Sequence, residues 1–426
     1  MSKYKKIYKD LRNKIENREY KPGNKIPSMR KLAEEYGCNK LIVKKAFDLL
    51  KDNNLIEKKI GKGSFVKFPE KINSKKNIFD FTTSYITEDF FPYKKVSKLI
   101  NNLIDKEKSS IFSQSNIKGD KNLINVLANK YNLPQKNMII ISGAQQGIDL
   151  SRKILNLRFS ENIIFEDPTY SGAISLFRPK IFVTLENDGP SINELKQKIN
   201  KKIKSFYTIP IIHNPTGINY SPEKKKIIAS LAQKYNFYII EDDYLSDFSE
   251  NNTKRFVDII PDKTIFIKSL SKITAPGIRL GFLVAPDSLV NKFLNAKFSS
   301  DIMSSTFMQK FLNIFIKSGL FDKHIHYCKT IIDKRKNVLK ELINNYPFLN
   351  ISNSQEGYNL WIKSDKPINL TNPPWADGSN FSFSKEYQDY FRISFMGIKE
   401  NNFENSIKYL KTIFDGIEEE SDQLVF

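Results

Sequence analysis

A chain of 426 residues, 40% hydrophobic and 27% charged, has the length for two or three domains and too much apolar content to be disordered. Its two cysteines, Cys38 and Cys328, exclude a disulfide framework or a cysteine metal cluster, and no apolar run approaches the roughly 18 residues of a membrane helix. The net charge of +21 is uneven: residues 1–77 hold 22 Lys or Arg against 9 Asp or Glu, net +13, and the other 349 hold 46 against 38, net +8. A basic block at one end points to a polyanion such as DNA. The N-terminus, MSKYKKIYKDLR, is charged from the start with no apolar segment behind it, so a cytoplasmic protein with no membrane partner is expected.

The first helix is predicted over residues 3–17 (KYKKIYKDLRNKIEN), where Ile7, Leu11 and Ile15 lay one apolar stripe on a basic surface. After a turn at Pro22-Gly23, IPSMRKLAEEYG predicts a second helix. Ser28 is placed to cap it, Met29, Leu32, Ala33 and Tyr36 to face inward, and Gly37 to stop it. Asn39 can cap a third helix with Val43, Ala46, Phe47 and Leu50 as its buried stripe, and Cys38 is expected to pack in the turn between. Two helices joined by a short glycine turn form a helix-turn-helix. The alternating LIEKKI and SFVKF around Gly61-Lys62-Gly63 predict a hairpin, or wing, behind it.

The series KPGNKIPSMRKLAEEYGCNKLIVKKAFDLLKDNNLIEKKIGKGSFV resembles the winged helix of the GntR family of bacterial regulators, carried by P-G, P-S-x-R-x-L-A, V-x-x-A and G-x-G-x-F-V in order. The resemblance implies a DNA-binding domain over residues 1–68. Ser28, Arg30, Asn39, Lys40 and Lys44 would face double-stranded DNA, with Gly63 in the wing near the minor groove. The physical chemistry agrees: helix N-termini offer N–H groups to phosphates, arginine makes two-pronged base contacts, and glycine permits close approach. One departure stands at the third helix, where the family's Ser-Arg-x-Thr before Val reads Asn39-Lys40-Leu41-Ile42.

Residues 69–77 (PEKINSKKN) are polar and lack aromatics, which reads as a linker. From residue 78 short apolar runs alternate with amphipathic helices: MIIIS (138–142), NIIFE (162–166), KIFVTL (180–185), YTIPII (207–212), FYIIED (237–242) and TIFIKS (264–269), with a helix over Pro222–Tyr235. That alternation predicts an α/β domain with a mainly parallel sheet covered by helices. In such sheets ligands lie at the carboxyl ends of the strands. The unusual residues cluster there: SGAQQG (142–147), EDPTY (166–170), HNPTG (213–217), EDDY (241–244), KSLSK (268–272) and then APGIRLGF with Arg279.

This series resembles the fold-type-I aminotransferases, which bind pyridoxal 5′-phosphate, over roughly residues 80–415. A smaller C-terminal subdomain is implied within a domain of residues 78–415, followed by an acidic tail, 416–426. By resemblance Lys272 would form the Schiff base with the cofactor's aldehyde and Asp242 would keep its pyridine nitrogen protonated. Asn214 and Tyr244 would hold the ring hydroxyl, and Tyr170 would stack on the ring. Gly143, Ala144, Gln145, Ser269 and Arg279 would meet the phosphate, and Arg392 would take an amino acid's carboxylate. The family's Tyr-Gly-x-Pro-x-Gly appears as QSNIKG, with Gln114 at the tyrosine position.

Arginine use supports the assignment, because only 10 of the 68 basic residues are Arg. Arg30, Arg279 and Arg392 stand where a planar fork would grip a base, a phosphate or a carboxylate. The others, including Arg152, Arg255 and Arg335, are expected to be solvated or helix-face charges. Asp243 is expected to be a structural acceptor, and no histidine has metal-ligand spacing. A winged helix fused to an aminotransferase-like domain resembles the MocR-type regulators. That implies a homodimeric, DNA-binding protein sensing an amino-acid-like effector through an aldimine at Lys272. An active aminotransferase and a sensor of pyridoxal phosphate itself stay open.

Overall fold

Apolar side chains repeated every third or fourth residue decide the first elements. The computed structural model describes residues 3–16, 20, 25–52, 55–59, 63–66, 79–155, 162–177, 180–250, 253–352, 356–368, 370 and 372–422. They divide into two compact units, Met1–Asn77 and Ile78–Phe426. The turn at Pro22-Gly23, the wing tip at Gly61-Lys62 and the stretch 69–77 lie outside the described residues.

In the first unit, α1 (Lys3–Glu16), α2 (Met29–Glu35) and α3 (Lys40–Asp52) bury Ile7, Leu11, Leu32, Val43, Ala46, Phe47 and Leu50 against one another. Ser28 Oγ accepts from the Lys31 N–H at 3.2 Å and caps α2, and Asn39 Oδ1 accepts from the Leu41 N–H at 3.0 Å at the start of α3. Strands β1 (Ile56–Lys59) and β2 (Gly63–Val66) pair antiparallel, with Ile56 opposite Val66, and both of these close the core. Cys38 is half-buried between α2 and α3.

The second unit is built on strands β3 (Met138–Ile141), β4 (Asn162–Asp167), β5 (Lys180–Glu186), β6 (Gly189–Pro190), β7 (Ile203–Thr208), β8 (Tyr238–Asp243), β9 (Thr264–Ser269) and β10 (Gly281–Val284). Their order across the sheet is β3-β10-β9-β8-β7-β4-β5-β6. The pairs from β5 through β4, β7 and β8 to β9 are all parallel. Alternate side chains enter two separate cores: Phe165, Tyr207 and Ile240 in one, Ile164, Phe206 and Ile239 in the other. Both faces of the sheet are therefore covered.

Two strands differ from expectation. The run YTIPII does not form the fourth strand; β7 ends at Thr208, because Pro210 has no N–H for the ladder and Ile212 lies at φ 48°. Strand β10, hidden in APGIRLGF, runs antiparallel between β3 and β9. It needs Gly281 at its start, where a Cβ would come within 2.5 Å of Lys268 O.

A second, antiparallel sheet of β11 (Leu349–Ile351), β12 (Asn359–Ser364), β13 (Ala376–Asp377) and β14 (Tyr390–Ser394), in the order β11-β12-β14-β13, forms the smaller subdomain. The last helix runs from Phe403 to Asp422, so the acidic residues expected as a separate tail continue it as far as Asp422. Arg335 is a further correction, because it is not solvated. Only 1% exposed, it donates to the carbonyls of Phe395 and Ile398, pairs with Glu400, and lies between the rings of Phe90 and Phe403. Cys328, on the long helix Leu320–Asn344, is fully buried, and burial pushes its thiol up to about 12.

Candidate functional site

The strand ends of the larger sheet converge on one cavity of about 600 Å³. After β3, the chain turns through Gly143 into a helix beginning at Ala144. Gly143 sits at φ 96°, and a Cβ there would lie 3.2 Å from the Arg279 guanidinium, so glycine lets that cation close over the turn. A helix N-terminus facing an arginine is a corner built for a dianion. Gln145 fixes one wall: its amide donates to Gly172 O at 3.0 Å, and its Oε1 accepts from the Tyr170 hydroxyl at 3.1 Å.

Asp242, near the end of β8, is 4% exposed. Its Oδ2 accepts from the Tyr207 hydroxyl at 2.6 Å, while the buried Oδ1 has no hydrogen-bond partner. Burial, with Asp243 and Glu166 nearby, pushes the carboxyl up to about 7 against the pull of Tyr207 and Lys268. Beneath it, Lys268 donates to Asp243 at 2.8 Å and pairs with Asp247 at 2.6 Å. Burial alone would lower the Lys268 pKa, but the two carboxylates outweigh it and hold it above the ordinary value. Asp243 thus braces the strand ends from the side opposite the cavity's chemistry.

Lys272 follows β9, its Nζ donating to Ser84 O at 2.6 Å. Burial, reinforced by the positive charges of Arg392 and Arg279, lowers its ammonium to about 8. Arg392, in β14, is 5% exposed and lowered by burial to about 10. It donates to Asn214 Oδ1 at 2.8 Å and to Thr82 O, and its guanidinium lies 4.7 Å from the centre of the Phe381 ring. Asn359 donates to the Tyr244 hydroxyl at 3.2 Å, and Tyr358 donates to Lys272 O at 3.1 Å.

The structure thus brings Ala144, Gln145, Tyr170, Asn214, Asp242, Tyr244, Ser269, Lys272, Arg279 and Arg392 onto one cavity wall, with Gly143 directly behind Arg279. Sequence reasoning missed Thr82, Thr83 and Ser84, which also line it, and Phe381 and Asn380 on the smaller subdomain. It missed too the buried Glu166, which accepts from Thr208 at 2.7 Å, from Tyr220, and lies 3.2 Å from His213 Nε2. Gln114 does not line this cavity. Among the described residues no group of three His, Cys, Asp or Glu could hold a metal, and no helix is long and apolar enough to cross a membrane.

In the first unit Ser28, Arg30, Asn39, Lys40, Lys44 and Gly63 are all exposed. Ser28 and Asn39 already spend side-chain oxygens on caps, while Arg30 on α2 and Lys40 and Lys44 on α3 are exposed cations, as are Lys31 and Lys45. Leu41 is exposed beside them. Gly63, at φ 112°, opens β2.

Comparison with known families fixes the two units. Residues 3–66 match the bacterial regulatory proteins of the gntR family, and residues 87–410 match the class I and II aminotransferases. The chain belongs to the MocR type of GntR-family regulators. This MocR-type chain is 31% identical over 338 residues to the HTH-type transcriptional regulator YcxD of Bacillus subtilis, a match covering 76% of each chain. It is 25% identical over 384 residues to the HTH-type transcriptional regulator NorG of Staphylococcus aureus, covering 79% of this chain and 86% of that one. Its second unit shares its fold with the multiple substrate aminotransferase of Thermococcus profundus, with a TM-score of 0.74 and 21% identity over 82% of this chain and 94% of that one. The aminotransferase class I/II fold implies use of pyridoxal phosphate.

Proposed function

We propose that this regulator binds pyridoxal 5′-phosphate at Lys272 and that an amino-acid-like effector in the same cavity changes how its winged helices hold DNA. The carrying observation is Asp242. An acceptor buried without a partner costs about 1–3 kcal/mol, and a protonated ring nitrogen is the donor that would satisfy Oδ1 and pair with its charge. When bound, the cofactor supplies an aldehyde that condenses with primary amines and a cationic ring that withdraws electrons from them.

The chain's own groups suit that task. With its pKa lowered to about 8, roughly a tenth of Lys272 is neutral at pH 7, the form able to act as a nucleophile. Arg279 and the turn Gly143, Ala144, Gln145, together with Ser269, would hold the phosphate. Asn214 and Tyr244 would hold the ring hydroxyl, with Tyr170 against the ring face. The Arg392 fork, oriented by Asn214 and Phe381, would take the effector's carboxylate. On the first unit Arg30, Lys40 and Lys44 would meet phosphates and bases, with Ser28, Asn39 and Gly63 at the same surface. A homodimer acting in the cytoplasm would present two winged helices to two half-sites.

The test is spectroscopic. Purified chain soaked with pyridoxal phosphate should gain a band near the visible edge that Lys272→Ala removes, and amino acids that perturb the band should shift DNA affinity. A protein that stays colourless and takes up no cofactor would defeat the proposal. Lys272 would equally serve a transaminase, so amino acid and keto acid should be supplied together. Sustained turnover at about 1–1000 per second would put catalysis ahead of regulation.

A further inference from the structure

One short stretch of backbone holds two of the cavity's cations. Lys272 Nζ donates to Ser84 O at 2.6 Å, and Arg392 Nη2 donates to Thr82 O. These are the amine and the fork that the cofactor and the effector would each claim. Hydrogen bonds from a charged donor are the strong kind. A carbonyl that loses such a donor in a buried place must find another or move, and Ser84 is only 8% exposed.

The stretch is fixed at one side and shaped at the other. Phe81, fully buried, donates its N–H to Pro374 O at 2.8 Å and accepts from the Ser394 N–H at 3.0 Å, two residues beyond Arg392. Asp80 Oδ1 accepts from the Thr82 N–H at 2.7 Å and from the Thr82 hydroxyl at 2.5 Å, which folds the backbone so that its carbonyls face the cavity. Ser84 Oγ donates to Asn359 Oδ1 at 3.3 Å. In sequence, this stretch directly follows the segment that joins the second unit to the winged helix.

We propose that the turn Asp80–Ser84 regulates this site: its two carbonyls separately register occupation of Lys272 and of Arg392, and Asp80 is the residue that positions them. The role rests on the pyridoxal phosphate assignment above. It follows the rule that a ligand shifts an equilibrium only through differential interaction with two states. Here the differing contacts are named: the ligand-free state keeps both carbonyl bonds, the cofactor breaks the one at Ser84, and a carboxylate breaks the one at Thr82.

Hydrogen–deuterium exchange on the full-length protein tests it. Lys272→Met and Arg392→Gln each remove one donor without any ligand, so each should speed exchange in residues 79–87 by about threefold or more. The double variant should speed it further, and the helix Pro222–Tyr235 should not change. Pyridoxal phosphate added to the wild type should reproduce the effect of Lys272→Met. Asp80 is exposed, so Asp80→Ala should fold and still develop the cofactor band. Its 79–87 segment should exchange fast from the outset. On cofactor-loaded protein, amino acids that perturb the band should then change its affinity for a duplex selected from sheared genomic DNA less than twofold, against roughly tenfold for the wild type. Asp80→Asn, which keeps an oxygen at Oδ1, should restore the response. Wild-type protein that develops the band with unchanged exchange at 79–87 would overturn the turn's role alone, as would an Asp80→Ala protein that responds like the wild type. A protein that develops no band would overturn both this role and the cofactor assignment.

Discussion

The two units keep their candidate functional residues in opposite places. In the winged helix Arg30, Lys40, Lys44 and Gly63 lie outside, and the core of Leu11, Leu32, Val43 and Leu50 lies beneath them. In the aminotransferase unit Asp242, Ser269 and Arg392 are 4–5% exposed, and Asp242 and Arg392 share hydrogen bonds with the walls that hold the fold together. Function on a surface can be changed without touching stability; function in a core cannot. The first unit should therefore separate binding from folding, and the second should trade one against the other.

The sharpest break is Lys272→Ala, which should abolish the cofactor band entirely while the chain stays folded by circular dichroism. Next is Leu32→Ala. Removing a fully buried leucine should cost about 2–5 kcal/mol and unfold the winged helix while the other unit keeps its band. Asp242→Asn should show the trade directly. Losing the buried partner of a ring cation should weaken cofactor binding by about 3 kcal/mol, roughly a hundredfold. The ligand-free protein should melt no lower than wild type, because a buried carboxyl with an unpaired oxygen is gone. Arg30→Ala should cost about 1–3 kcal/mol in DNA affinity if it reads a base, and its thermal stability should stay within about 0.5 kcal/mol of wild type.

The smallest effect is on pH. Asp242 is raised, so the stability it contributes to the ligand-free chain is present at acid pH and lost as pH rises through about 7. Lys272 is lowered, so its contribution runs the other way, present at high pH and lost as pH falls through about 8. The proposed cofactor binding would need Asp242 ionised and Lys272 neutral, and both are favoured as pH rises. The rise in melting temperature on adding pyridoxal phosphate should therefore be a few degrees larger at about pH 8.5 than at about pH 6. Arg279→Gln removes a positive neighbour of Lys272 and should move that onset to higher pH.

What the sequence made legible was local. The caps at Ser28 and Asn39 and the helix Pro222–Tyr235 follow from spacing within a few residues. Most of the polar clusters at the strand ends followed from where the apolar runs stopped, but HNPTG begins five residues beyond Thr208, where β7 ends. What it hid was distant. Arg392 meets Asn214 across 178 positions and Thr82 across 310, and Lys272 meets Ser84 across 188. No periodicity encodes such meetings. The same holds for Arg335, whose carbonyl partners lie 60 and 63 positions away, so that its charge read as solvated. Strand β10 escaped because an antiparallel insertion breaks the strand–helix alternation on which the other strands were read.

The placement of the two thiols has a practical consequence. Cys328 is sealed inside the long helix's packing, its proton held firmly, and should resist maleimides in the native state. Cys38 sits half-open at the elbow between α2 and α3. A single-cysteine fluorophore can therefore be attached at the DNA reader with no mutagenesis. Its emission would report operator engagement in real time while the cofactor band reports the other unit, giving two optical channels from one unmodified gene.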